Sequence, residues 1–101
     1  MSSYLALVHK DEGTSYGVSF PDVPGCISAG DTVEDALDNA AEALAGHLRL
    51  MRADGDSEPQ PRSVDAIRAD PDLSDDLKGA LIRYVEPRMP SAPPRRAGGR
   101  P

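Results

Sequence analysis

The sequence predicts an α+β fold: a small antiparallel β-meander, a long helix that crosses back over it, and a last apolar segment that returns to it. Three observations carry this expectation. Short alternating or apolar runs, separated by turn residues, occupy the first thirty positions. One uninterrupted helical stripe follows from Val33, and a final apolar run ends at Val85. With 101 residues in all, the chain has room for one core.

Tyr4-Leu5-Ala6-Leu7-Val8-His9 is mostly apolar, the pattern of a strand buried on both faces. Asp11 and Gly13 are turn residues, and Tyr16, Val18 and Phe20 then alternate with Gly17 and Ser19, so residues 4–20 read as a hairpin. Pro21-Asp22-Val23-Pro24-Gly25 cannot prolong the second strand. Each proline fixes its own φ and lacks an N–H, and Gly25 supplies any positive φ the corner needs. Cys26–Ala29 restarts an extended run, which Gly30 ends. Asp31 or Thr32 then caps a helix from about Val33 to Arg52. Its apolar positions Val33, Leu37, Ala40, Leu44, Leu48 and Met51 recur every three or four residues. Glu34, Asp35 and Asp38 lie towards the positive end of the helix dipole and Arg49 and Arg52 towards the negative end; Asp54-Gly55 stops the helix.

Residues 53–62 form a polar, proline-bearing loop. Ser63 caps a short helix over Val64–Ala69, and Pro71 ends it. Asp72–Glu86 satisfies two patterns. Leu77, Ala80, Leu81, Tyr84 and Val85 fit a helical stripe capped by Ser74, whereas Ala80–Val85 fits a strand with Gly79 as the breaker before it. From Pro87 onward, five prolines, two glycines and four arginines in fifteen residues cannot bury a core. The expected organisation is therefore an α/β domain over residues 1–86 and a disordered Pro/Arg-rich tail over 87–101.

Charge is unevenly placed. All 17 acidic residues fall within 1–86, against 7 basic ones, while 87–101 carry four arginines and no acid. A folded part this acidic is a poor nucleic-acid binder, since phosphate contacts need Lys and Arg. It suits a basic protein partner, or serves solubility alone. No stretch approaches the ~20 apolar residues of a membrane span, and no basic-then-apolar leader opens the chain. A cytoplasmic protein is the expectation.

The residues for catalysis are sparse. Cys26 is the single cysteine, which excludes an intramolecular disulfide and a cysteine-based metal site. It reads as a small buried hydrophobe at a strand start. His9 and His47 stand in no metal-ligand or Ser/His/Asp spacing, and Gly98-Gly99 precede no helix. The expectation is a non-enzyme with no cofactor and no metal.

One ordered run narrows the reading further. Tyr16, Val18, Phe20-Pro21-Asp22-Val23-Pro24-Gly25-Cys26 and Gly30-Asp31-Thr32, followed by the alanine-rich helix through Asn39, Ala40, Glu42, Ala43 and Leu44, closely resemble the N-terminal domain of HicB-family antitoxins. These are the neutralising halves of HicA/HicB toxin–antitoxin pairs. The resemblance is sharpest over residues 4–54 and continues more loosely to about 86. It implies a partial RNase H-like fold in the order β-β-β-α-β, with Ala80–Val85 as the fourth strand. A right-handed crossover would lay that strand parallel to the first. An RNase H-like nuclease site begins with an acidic residue on the first strand, and Tyr4–His9 has none.

The resemblance also implies a function. The chain is expected to bind a small basic HicA-type endoribonuclease, an mRNA interferase, and to neutralise it by occluding its active surface. Asp22, in the rigid corner, and Glu34, Asp35, Asp38 and Glu42, on the helix, are the candidate contacts. Each has a plainer alternative, as a turn former and as a solvated helix face. A homodimer or higher homo-oligomer is expected. Full-length relatives usually add a ribbon-helix-helix or helix-turn-helix module, for which residues after 86 are too few and too rich in proline. Operator DNA binding is therefore doubtful, and Arg88, Arg95, Arg96 and Arg100 suit at most weak, salt-sensitive contact with nucleic acid. The rival readings are a DNA-binding autorepressor and an orphan HicB-like binding module without a toxin.

Overall fold

The computed structural model of the chain describes residues 3–10, 13 and 15–88. Its spine is strand β1 (Tyr4–Lys10), which pairs on one side with β2 (Tyr16–Ser19) and on the other with β4 (Leu81–Val85). β3 (Ile27–Gly30) pairs with β2, so the sheet order is β3-β2-β1-β4 and every neighbouring pair is antiparallel. Helix α1 (Val33–Ala53) crosses one face. The other face is covered only in part, by α2 (Val64–Arg68), a 3₁₀ turn (Pro71–Leu73) and the single-turn α3 (Ser74–Leu77).

The apolar run of β1 is explained by this sandwiching. Side chains alternate between the two faces of a strand. Tyr4, Ala6 and Val8 join the larger core beneath α1, whereas Leu5 and Leu7 meet Ile67 in a smaller core on the opposite face. All five are buried, as the unbroken apolar pattern requires.

α1 packs through small residues. Its buried positions are Ala36, Ala40, Ala41, Leu44, Ala45 and Leu48, with Val33, Leu37 and Met51 half-buried on the flanks of the stripe. Alanines let the helix approach closely, and Gly30 at the end of β3 completes the fit. A Cβ on Gly30 would lie 2.4 Å from the Ala36 nitrogen. Thr32 is the N-cap, its Oγ1 accepting from the Asp35 N–H at 3.0 Å. Asn39 Nδ2 donates to the Ala29 carbonyl at 2.9 Å and ties helix to strand a second time.

β4 runs antiparallel to β1, from Val8↔Leu81 to Tyr4↔Val85, and not parallel as a direct return from the helix would dictate. The reason lies in residues 54–80. Leaving α1, the chain passes the start of β1, where Tyr4 Oη donates to the Pro59 carbonyl at 2.6 Å. It then travels along the opposite face to the far end of β1, where the His9 ring meets the Asp76 carbonyl at 2.7 Å. That extra traverse reverses the direction from which β4 is reached. Both patterns seen in Asp72–Glu86 are used in turn: helical turns through Leu77, a break at Gly79 (φ 70°), then strand from Leu81.

Candidate partner-binding surface

The corner between β2 and β3 is built inward. Two overlapping turns close it, the Val23 N–H donating to the Phe20 carbonyl and the Cys26 N–H to the Val23 carbonyl, each at 3.1 Å. Phe20, Val23 and Cys26 are buried, and Gly25 takes the positive φ (87°) that lets the chain turn out again. Burial pushes the Cys26 thiol up from its ordinary pKa, which makes the thiolate scarce. The His47 ring lies over Gly25, within 3.7 Å of where a Cβ would stand.

Asp22 points away from solvent. Its side chain is 6% exposed, and Arg62 grips it twice: the backbone N–H donates to Oδ2 at 2.7 Å and Nε donates to Oδ1 at 2.6 Å. The same guanidinium reaches Asp70 Oδ2 through Nη1 at 2.9 Å. Hydrogen bonding from Arg62, then from the Asp72 N–H, holds the Asp70 carboxyl below the ordinary carboxylate range. Arg62 thus braces the corner against the connector, and Asp22 is the hub of that brace.

Glu34, Asp35, Asp38 and Glu42 are all exposed and share one face of α1. Residues three and four apart are neighbours on a helix, and Asp38 stands four from both Glu34 and Glu42 and three from Asp35, which puts it at the centre of the group. On the side towards β4, Asp38 accepts from Arg88 Nη2 at 3.2 Å and the Arg88 N–H donates to the Ala41 carbonyl at 3.0 Å. On the side towards β3, Asn39 bonds the Ala29 carbonyl. A further acidic group was not singled out from sequence: Asp65, Asp72, Asp75 and Asp76, all exposed on the connector. Its signal was the run Asp70-Pro71-Asp72-Leu73-Ser74-Asp75-Asp76, which periodicity arguments treat only as helix caps.

Exposed apolar side chains also went unread. Ile27 on β3 is 73% exposed, Leu50 on α1 68%, and Tyr84 on β4 56%. Among the described residues no group of three or more His, Cys, Asp or Glu side chains is placed to hold a metal, and no helix is long and apolar enough to cross a membrane. The expected tail contacts Arg95, Arg96 and Arg100, like Asp11 of the first turn, lie outside the described residues.

A family model described as the HicB-like antitoxin of bacterial toxin–antitoxin systems matches residues 4–89, which is nearly the whole described fold. The chain belongs to the HicB-like antitoxin family. Antitoxin HicB 1 of Photorhabdus laumondii is 39% identical over 71 residues, covering 70% of this chain and 46% of that protein. The crystal structure of the N-terminal domain of Burkholderia pseudomallei antitoxin HicB aligns with a TM-score of 0.71 at 35% identity, covering 87% of this chain and all of that one. A chain of the HicA3 and HicB3 toxin–antitoxin complex aligns at 30% identity with a TM-score of 0.67, covering 84% of this chain and 96% of its own. The present chain spans just under half the length of two of the curated relatives it matches.

Proposed function

We propose that this HicB-like chain is an antitoxin that binds a small basic HicA-type endoribonuclease and covers its active surface. The observation that carries the reading is the exposed acidic face of α1. Among the described residues, Glu34, Asp35 and Glu42 are exposed and have no basic side chain paired with them. A protein built to hold RNA presents the complementary charge, so such a face steers encounter and fixes orientation. The kinship with a HicA3–HicB3 complex supports the same partner class. In this reading inhibition is stoichiometric, by steric and electrostatic blockade, with no catalysis by the antitoxin. It takes place in the cytoplasm, and the antitoxin acts as a homodimer or higher homo-oligomer. Asp22 contributes by holding the corner rigid through Arg62, while Glu34, Asp35, Asp38 and Glu42 make the contact.

The test is a charge reversal on the exposed helix face. A Glu34→Lys, Asp35→Lys, Glu42→Lys variant should bind the cognate toxin at least about 100-fold more weakly by calorimetry, with its circular dichroism unchanged. Affinity within about twofold of wild type would remove α1 from the interface.

A further inference from the structure

The two edges of the sheet are unequally protected. An edge strand presents unpaired N–H and C=O groups, which folded proteins usually blunt with proline, charge, bulges or a covering element. At the β3 edge, Asn39 of α1 occupies the Ala29 carbonyl, and the strand is pressed against the helix at Gly30. The β4 edge has no covering element among the described residues, and its one blunting charge there is Arg83. Leu81–Val85 contains no proline or glycine, and its one side-chain bond is local, from Arg83 Nη1 to the Ile82 carbonyl at 3.0 Å.

Apolar surface flanks this edge on both faces. Residues paired across a ladder share a face, so Leu81, opposite Val8, lies on the α1 side, while Tyr84, opposite Leu5, lies on the connector side. Leu81 is 37% exposed and Tyr84 56%. The charge beside the edge is balanced, unlike the rest of the domain. Asp38, Arg83, Glu86 and Arg88 line the cleft between β4 and α1, two acids against two bases. A basic partner gains little from a neutral patch. A second copy of an otherwise acidic chain, by contrast, can approach here without net repulsion.

We infer that β4 is a homodimerisation edge. Two copies pair β4 with β4, antiparallel about a two-fold axis, and merge their sheets into one of eight strands. Such an isologous contact satisfies the free backbone groups of both edges at once. Like charges directly opposite are unfavourable, so the axis falls away from Arg83; placed at Tyr84, it sets the two tyrosine rings side by side. The inference rests on the self-association part of the proposed function.

Sedimentation equilibrium on the full chain tests it, comparing wild type with Tyr84→Lys, Leu81→Lys and Ile27→Lys. The expected result is a wild-type dimer and an unchanged Ile27→Lys dimer. Both β4 variants should dimerise at least about tenfold more weakly. Amide exchange at Ile82 and Tyr84 in the wild type should slow as concentration rises, a readout independent of how the variants fold. If the β4 variants dimerise like wild type, or Ile27→Lys dissociates the dimer instead, the edge is wrong while self-association stands. A wild-type monomer at all concentrations up to about 100 µM would overturn both.

Discussion

Replacing Gly30 with alanine should cost the domain about 3 kcal/mol, a large share of the stability of a small fold. The added carbon would stand 2.4 Å from the Ala36 nitrogen and 2.7 Å from Ala36 Cα and the Asp35 carbonyl carbon. All three are backbone atoms of the first turns of α1, so no side chain can swing aside. The helix must lift from β3 instead, which strains the Asn39–Ala29 hydrogen bond and loosens Ala36 and Ala40 in the core. Gly46 is the internal control. It lies mid-helix with nothing within 4 Å of its missing Cβ, so Gly46→Ala should gain roughly 0.5–1 kcal/mol from reduced backbone entropy alone. Urea titration of the two variants, read by linear extrapolation, gives both numbers. A Gly30→Ala protein within about 0.5 kcal/mol of wild type would mean that α1 is not seated on β3 as described.

Ile67→Ala should cost a comparable amount, about 3 kcal/mol, by leaving a cavity beneath the connector. Ile67 has no exposed surface and is the one buried residue of α2; it packs on Leu5 and Leu7 on the sheet face away from α1. The half-buried side chains around it, Val64, Leu73, Leu77 and Ile82, are spread over four elements and cannot close the space together. The loss should be local as well as global. Limited proteolysis should cut the variant first between residues 63 and 79, while the peptide containing α1 stays protected. A loss below about 1 kcal/mol would show that the connector is held mainly by Arg62, through Asp22 and Asp70, and not by its apolar anchor.

Much of this fold was legible in the sequence because its signals are local. The alternation Tyr16-Val18-Phe20, the stripe from Val33 to Met51 and the caps Thr32 and Ser63 are each written within a few residues, and each element formed within a residue or two of its expected bounds. The path of residues 54–80 was not legible, since it depends on where a polar loop goes in three dimensions. Two side-chain bonds from distant residues, Tyr4 to Pro59 and Arg62 to Asp22, mark that path, and periodicity has no access to either. The direction of β4 was misjudged for the same reason. Asp22 shows the limit at a single residue: Pro-Asp-Val-Pro-Gly reads as a corner, but its partner lies forty residues away. The exposed acids of α1 were legible because a helix has one face to the core and the rest to water. The bare edge of β4 was not, because strand order is a property of the whole sheet.

The antitoxin reading is tested most directly by titrating the purified chain into a fixed amount of its cognate HicA-type toxin and following cleavage of an RNA substrate. Cleavage should fall linearly to the background of a toxin-free control and reach it at a fixed molar ratio, with the two proteins co-eluting at that ratio. Undiminished cleavage at a several-fold excess of folded chain, with no co-elution, would contradict the account.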